Sequence, residues 1–86
     1  MSVCGYPDQH AREALAIVRA GKHLIIEKPI ALTLEDCYAI LDAATAAGVR
    51  SCVCLECRWS SQFLTTRAVI DAGLLGDLHY GEVDYY

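Results

Sequence analysis

Apolar residues recur along this chain in two patterns: short dense runs of strand length, and longer stretches with helical spacing. Met1 to Gly5 is a short apolar run closed by glycine and predicts a strand. Tyr6-Pro7-Asp8 reads as a turn, with Asp8 placed to cap a helix. From Gln9 to Ala20, the residues Ala11, Ala14, Leu15 and Val18 fall on one helical face, and Gly21 stops the helix as a left-handed cap residue. His23-Leu24-Ile25-Ile26-Glu27 is then a strand, and its three consecutive aliphatics suit a parallel strand buried on both faces.

The pattern repeats. Thr33 opens a second helix, where Thr33-Leu34-Glu35-Asp36 resembles a capping box with Asp in place of Glu or Gln. Leu32 and Cys37 are spaced to staple the start. Cys37, Ile40, Leu41 and Ala44 make the stripe expected to be buried, and Gly48 ends the helix. Val49 to Leu55 is a third strand-like run. Strand, helix, strand, helix, strand with short connections predicts a βαβαβ unit with right-handed crossovers and a parallel sheet. Beyond it, Ser60 or Ser61 caps a third helix running to Ala72, with Gly73 as its stop and Leu74-Leu75-Gly76 as a turn. Leu78 to Tyr86 alternates loosely, is rich in Tyr and Val, and predicts a last strand.

The bulk properties narrow the class. The length of 86 residues allows one small domain, and 55% hydrophobic residues argue for a packed chain rather than a disordered one. The net charge of −4 comes without a basic cluster, which argues against nucleic acid as a partner. No apolar run has bilayer-spanning length and Met1 to Gly5 is not a signal peptide, so the expectation is a cytoplasmic protein with no membrane association. Five cysteines, an odd number, suit reduced thiols better than a disulfide framework. Cys52, Cys54 and Cys57 lie close in sequence, but no fourth ligand completes a structural zinc set, and free cysteines of this kind commonly behave as small buried hydrophobes.

Three polar groups of residues fall after the three strands. In open parallel sheets, ligands lie outside the carboxyl ends of the strands. Glu27-Lys28-Pro29 follows the second strand, where Lys28 can donate a hydrogen bond and Pro29 fixes the backbone; the alternative is a solvent-facing lysine in an ordinary loop. Tyr6-Pro7-Asp8-Gln9-His10 sits at a helix N-terminus, a place that attracts phosphate and ribose oxygens; the alternative is that Asp8 caps and His10 lies in the first turn. Arg58-Trp59 follows the third strand. Their coincidence on one edge favours the functional reading of all three.

Together these stretches resemble the Gfo/Idh/MocA oxidoreductase family, named for glucose-fructose oxidoreductase and inositol dehydrogenase. The resemblance rests on Tyr6 to His10, on the block from Ala20-Gly21-Lys22-His23 to Glu27-Lys28-Pro29-Ile30-Ala31-Leu32-Thr33, on Arg58-Trp59 and on Gly73-Leu74-Leu75-Gly76-Asp77. It implies an α/β fold: residues 1–58 as the second half of a Rossmann-type dinucleotide-binding domain, 59–76 as the inter-domain helix and turn, and 77–86 as the first strand of an α+β substrate and oligomerisation domain. It further implies NAD or NADP as cofactor, a sugar or polyol substrate, and a homo-oligomeric parent protein. Lys28 matches the catalytic lysine near the nicotinamide, and Tyr6, Pro7, His10, Glu27, Pro29 and Arg58 match cofactor-side loops. Asp8 stands where the family often has Asn. The glycine-rich pyrophosphate turn G-x-G-x-x-G is not in this sequence. The chain therefore reads as a fragment of a dehydrogenase, inactive by itself; the other readings are a non-catalytic interaction module of the same fold and a plain α/β domain without ligand.

Overall fold

The computed structural model describes residues 1–84. The chain divides into two compact units, Met1–Leu55 and Glu56–Tyr86. The first contains β1 (Ser2–Val3), α1 (Pro7–Arg19), β2 (Leu24–Glu27), α2 (Leu34–Ala46) and β3 (Ser51–Cys54). Its strands form one sheet in the order β1-β2-β3, all parallel, with Val3 opposite Ile26 and Glu27 opposite Cys54. This is the βαβαβ unit that the hydrophobic pattern predicts.

The helix ends follow local chemistry. At the close of α1, Gly21 has φ of 68°, its N–H donates to the Val18 carbonyl at 2.8 Å, and the Lys22 N–H donates to Ile17 at 3.2 Å. This paired motif needs a residue that adopts a left-handed backbone cheaply. Gly48 repeats it after α2, with φ of 64° and the Val49 N–H on the Ala44 carbonyl at 3.1 Å. At the start of α2 the Thr33 hydroxyl accepts from the Asp36 N–H at 3.1 Å and donates to the Asp36 carboxylate at 2.9 Å. Asp36 thus holds the capping hydroxyl itself, a contact within the reach of its short side chain. Asp8 does not cap α1: Tyr6 is the N-cap residue, Pro7 takes the first helical position, and Asp8 falls in the first turn, where its charge suits the helix dipole.

The core is Val3, Ala14, Val18, Leu24, Ile26, Ile40 and Ala44. Because side chains alternate across a strand, Leu24 and Ile26 face this core while Ile25 points the other way and is 55% exposed. The expectation that β2 is buried on both faces therefore fails within the described residues, as packing falls on one side. The stripe predicted for α2 is also narrower than expected: Ile40 and Ala44 are buried, Cys37 is half-buried, and Leu41 is exposed, as is Leu32 of the supposed staple. Cys52 and Cys57 are exposed and Cys54 is half-buried, so these thiols are not buried hydrophobes; none of the five cysteines is in a disulfide.

The second unit contains a 3-10 turn, Glu56–Trp59, and α3 (Ser61–Asp71), neither with a buried residue. Ser60 caps α3 by accepting from the Phe63 N–H at 3.4 Å. Residues 78–84 of the predicted last strand form no strand, since a strand is completed by a hydrogen-bonded neighbour and none is present among the described residues; Tyr85 and Tyr86 lie outside the described residues. No helix among the described residues is long and apolar enough to cross a membrane.

Candidate functional site

In a parallel sheet all the strands point their carboxyl ends to one edge, so the loops after β1 and β2 must emerge side by side. The ladder between these strands ends at Val3 and Ile26. Just beyond it, the His10 ring continues the pairing with a side chain. Its Nδ1 lies 2.7 Å from the Pro29 carbonyl oxygen and its Nε2 3.0 Å from the Gly5 carbonyl oxygen. His10 is 1% exposed, the one buried polar residue among those described. The loop of Tyr6 and Pro7 and the loop of Glu27, Lys28 and Pro29 are thereby joined at one rim.

The remaining rim residues have distinct surroundings. Lys28 and Pro29 are exposed and joined by a cis peptide bond. The Lys28 N–H donates to a Glu27 carboxylate oxygen at 3.1 Å, so Glu27, half-buried at the end of β2, holds the start of the loop. Tyr6 is 76% exposed and Pro7 half-buried at the head of α1. No side chain caps that helix. Pro7 has no N–H and the Gln9 N–H donates to the Tyr6 carbonyl at 2.9 Å, so the first turn offers a ligand oxygen the Asp8 amide, while the Asp8 carboxylate disfavours a phosphate and suits a hydroxyl donor. Arg58 lies in the 3-10 turn of the second unit.

Sequence reasoning assigned His10 to the ligand-facing loop, whereas its ring is turned inward, with a backbone carbonyl at each nitrogen. A signal for this was present. His10, Ala14 and Val18 are spaced by four residues and share the buried face of α1. A further apolar groove of about 250 Å³ lies between α2 and the sheet, lined by Ile26, Ile30, Tyr38, Leu41 and Val53 among others. Its lining is mainly aliphatic, with the Cys37 and Cys52 thiols, Ser51 and Tyr38 as its polar groups and no charged side chain, and the rim carrying Lys28 is the candidate site.

A parallel βαβαβ unit with its polar loops gathered at the carboxyl ends of the strands defines the class: a nucleotide-binding α/β fold of Rossmann type. The sequence profile of the GFO_IDH_MocA family, described as an oxidoreductase family with an NAD-binding Rossmann fold, matches residues 1–55. The chain belongs to this family. Among curated relatives, it is 36% identical over 76 residues to scyllo-inositol 2-dehydrogenase (NADP(+)) IolW of Bacillus subtilis, covering 88% of this chain and 21% of that protein. It is 34% identical over 77 residues to an alpha-N-acetylgalactosaminidase of Shewanella oneidensis, covering 88% and 17%. Among solved structures, an NAD-binding protein from Listeria innocua superposes with a TM-score of 0.84 at 30% identity, covering 88% of this chain and 22% of that one. The chain thus spans about a fifth of the length of the curated relatives it matches.

Proposed function

We propose that this chain is the second half of the dinucleotide-binding domain of an NAD(P)-dependent oxidoreductase that acts on a sugar or polyol carbinol. The observation that carries the reading is the joined rim: Lys28 stands on a loop tied through His10 to the loop after β1. In this reading Tyr6, Pro7, Glu27, Lys28 and Pro29 form the nicotinamide and ribose side of the cofactor site. The chain's own residues fit only that side, because the glycine-rich turn for the pyrophosphate is not among them. When bound, the nicotinamide supplies the hydride chemistry.

Lys28 then acts on the substrate hydroxyl, polarising it or taking its proton. Glu27 holds the Lys28 amide, and Pro29 limits the freedom of the loop. The inositol dehydrogenase relative supports a polyol substrate, and its name supports NADP as one of the two cofactors to test. The galactosaminidase relative widens the substrate class to other carbohydrates. The parent protein is read as a cytoplasmic homo-oligomer, without nucleic-acid or membrane partners.

The test is NAD- or NADP-linked turnover of inositols and related sugars by the intact protein, with and without Lys28→Ala. The variant is expected to lose on the order of 10²–10⁴-fold in kcat, the usual contribution of general acid–base catalysis. Unchanged turnover removes Lys28 from the mechanism. The second reading, an interaction module that lends its strands to another sheet, draws on the positions of β1 and β3 at the sheet edges. Stable capture of a partner by the 86-residue chain, with no turnover by the intact protein, would favour it.

A further inference from the structure

Backbone carbonyls just past the end of a β-ladder have lost their sheet partners and must find others. Gly5 lies two residues beyond Val3 and Pro29 three beyond Ile26, the last pair between β1 and β2, and Pro29 is two beyond Glu27, where β2 ends its pairing with β3. A single ring serves both carbonyls, and it is almost completely shielded from water. The two contacts are not equivalent. Each ring nitrogen faces a carbonyl oxygen, a group that can only accept, and the separation is shorter at Pro29, 2.7 Å, than at Gly5, 3.0 Å. The contact to Pro29 is the tighter of the two and spans 19 residues to the loop after β2, whereas the contact to Gly5 stays within the turn that leads into α1.

We infer that His10 is a positioning residue for Lys28: its Nδ1–H to the Pro29 carbonyl, rather than its contact with Gly5, fixes the lysine-bearing loop at the rim. This deepens the proposed oxidoreductase reading and rests on it only for the consequence in catalysis. His10 touches neither cofactor nor substrate. It acts by setting where the Lys28-Pro29 segment stands relative to the head of α1. Its place on the buried face of α1, one and two turns before Ala14 and Val18, couples that loop to the packing of the helix on the sheet.

Two substitutions separate the two contacts. The side-chain amide nitrogen of Asn occupies nearly the position of Nδ1, and that of Gln the position of Nε2. His10→Asn therefore keeps the Pro29 link and loses the Gly5 contact; His10→Gln does the reverse. Amide hydrogen exchange of residues 27–32 in the intact protein reads the loop directly. We expect exchange to rise about fivefold or more in His10→Gln, the scale of one lost hydrogen bond, and to stay near wild type in His10→Asn. In the same pair kcat should fall about ten- to hundredfold in His10→Gln alone, with KM for the dinucleotide little changed, because a small misplacement of a reacting group acts on the chemical step.

Equal loop exchange in the two variants, or protection in His10→Gln with loss in His10→Asn, overturns the inference. If neither variant folds, the wild-type protein still decides by NMR: a slowly exchanging ring Nδ1–H close to the Pro29 Hα supports the inference, and a rapidly exchanging or absent one overturns it. Split exchange in a protein that turns over no nicotinamide substrate would refute the oxidoreductase reading and leave the His10 assignment standing. Turnover without split exchange would do the opposite.

Discussion

Ile25 and Ile26 are neighbours in one strand with the same side chain and opposite environments, which makes them a controlled pair. Ile26 is 2% exposed in the core and Ile25 is 55% exposed on the other face. Isoleucine to alanine removes three carbons, and at roughly 0.8 kcal/mol each their transfer is worth about 2.4 kcal/mol when fully buried. The cavity left at position 26 brings the cost of Ile26→Ala to about 3–4 kcal/mol. At position 25, solvent fills the space and less than half the side chain is lost from burial, so Ile25→Ala costs about 1 kcal/mol. The loss of strand propensity is common to both and cancels in the comparison. The total stability expected for 86 residues is roughly 4–13 kcal/mol, and a chain this small sits toward the low end. Ile26→Ala should therefore remove most of it. Urea unfolding of the 86-residue chain, followed by far-UV circular dichroism, measures both. With a slope near 1 kcal/mol/M, the midpoint should fall by about 3 M for Ile26→Ala and about 1 M for Ile25→Ala, at unchanged slope. Equal shifts would refute the one-sided packing of β2.

Thr33→Ala removes the hydroxyl that caps α2 and should cost about 1 kcal/mol in the same assay; no change in midpoint would mean that the cap is not formed in solution. Gly21→Ala places a Cβ on a backbone at φ of 68° and should cost about 1–2 kcal/mol, although nothing lies within 4 Å to clash with it, so a neutral result would argue against the left-handed helix end. The 86-residue chain, with β1 and β3 open at the edges and Ile25 and Cys52 exposed, should self-associate in light scattering; a monodisperse monomer would contradict this.

Features governed by local backbone chemistry were legible in the sequence. Gly21, Gly48 and Gly73 mark helix ends because each takes the left-handed conformation that ordinary residues avoid. Thr33 and Ser60 mark starts because a hydroxyl satisfies an otherwise unpaired amide. The parallel sheet followed from the short connections between alternating elements. The errors concern which face is covered. An apolar run such as Leu24-Ile25-Ile26 states that burial is possible on both sides and leaves open whether both sides have neighbours. Leu41 is exposed for the same reason, its helical spacing being correct with no surface among the described residues to cover it, whereas for Cys52 residue type alone suggested burial.

His10 shows the opposite case, in which the position was informative and the residue type misled. A histidine beside a helix N-terminus invites assignment to a ligand, since imidazole is so often a reacting or coordinating group. The same ring is also suited to joining two loops, because it presents two nitrogens in a rigid plane to two backbone oxygens. The four-residue spacing to Ala14 and Val18 decides between these uses: a side chain on that stripe points toward the sheet, and a polar group placed there must meet polar atoms. At this end of the sheet the available atoms are carbonyls of the loops after β1 and β2. A histidine on the buried face of a crossover helix, one turn inside its start, is thus better read as the tie between neighbouring strand-end loops than as a member of the site that those loops form.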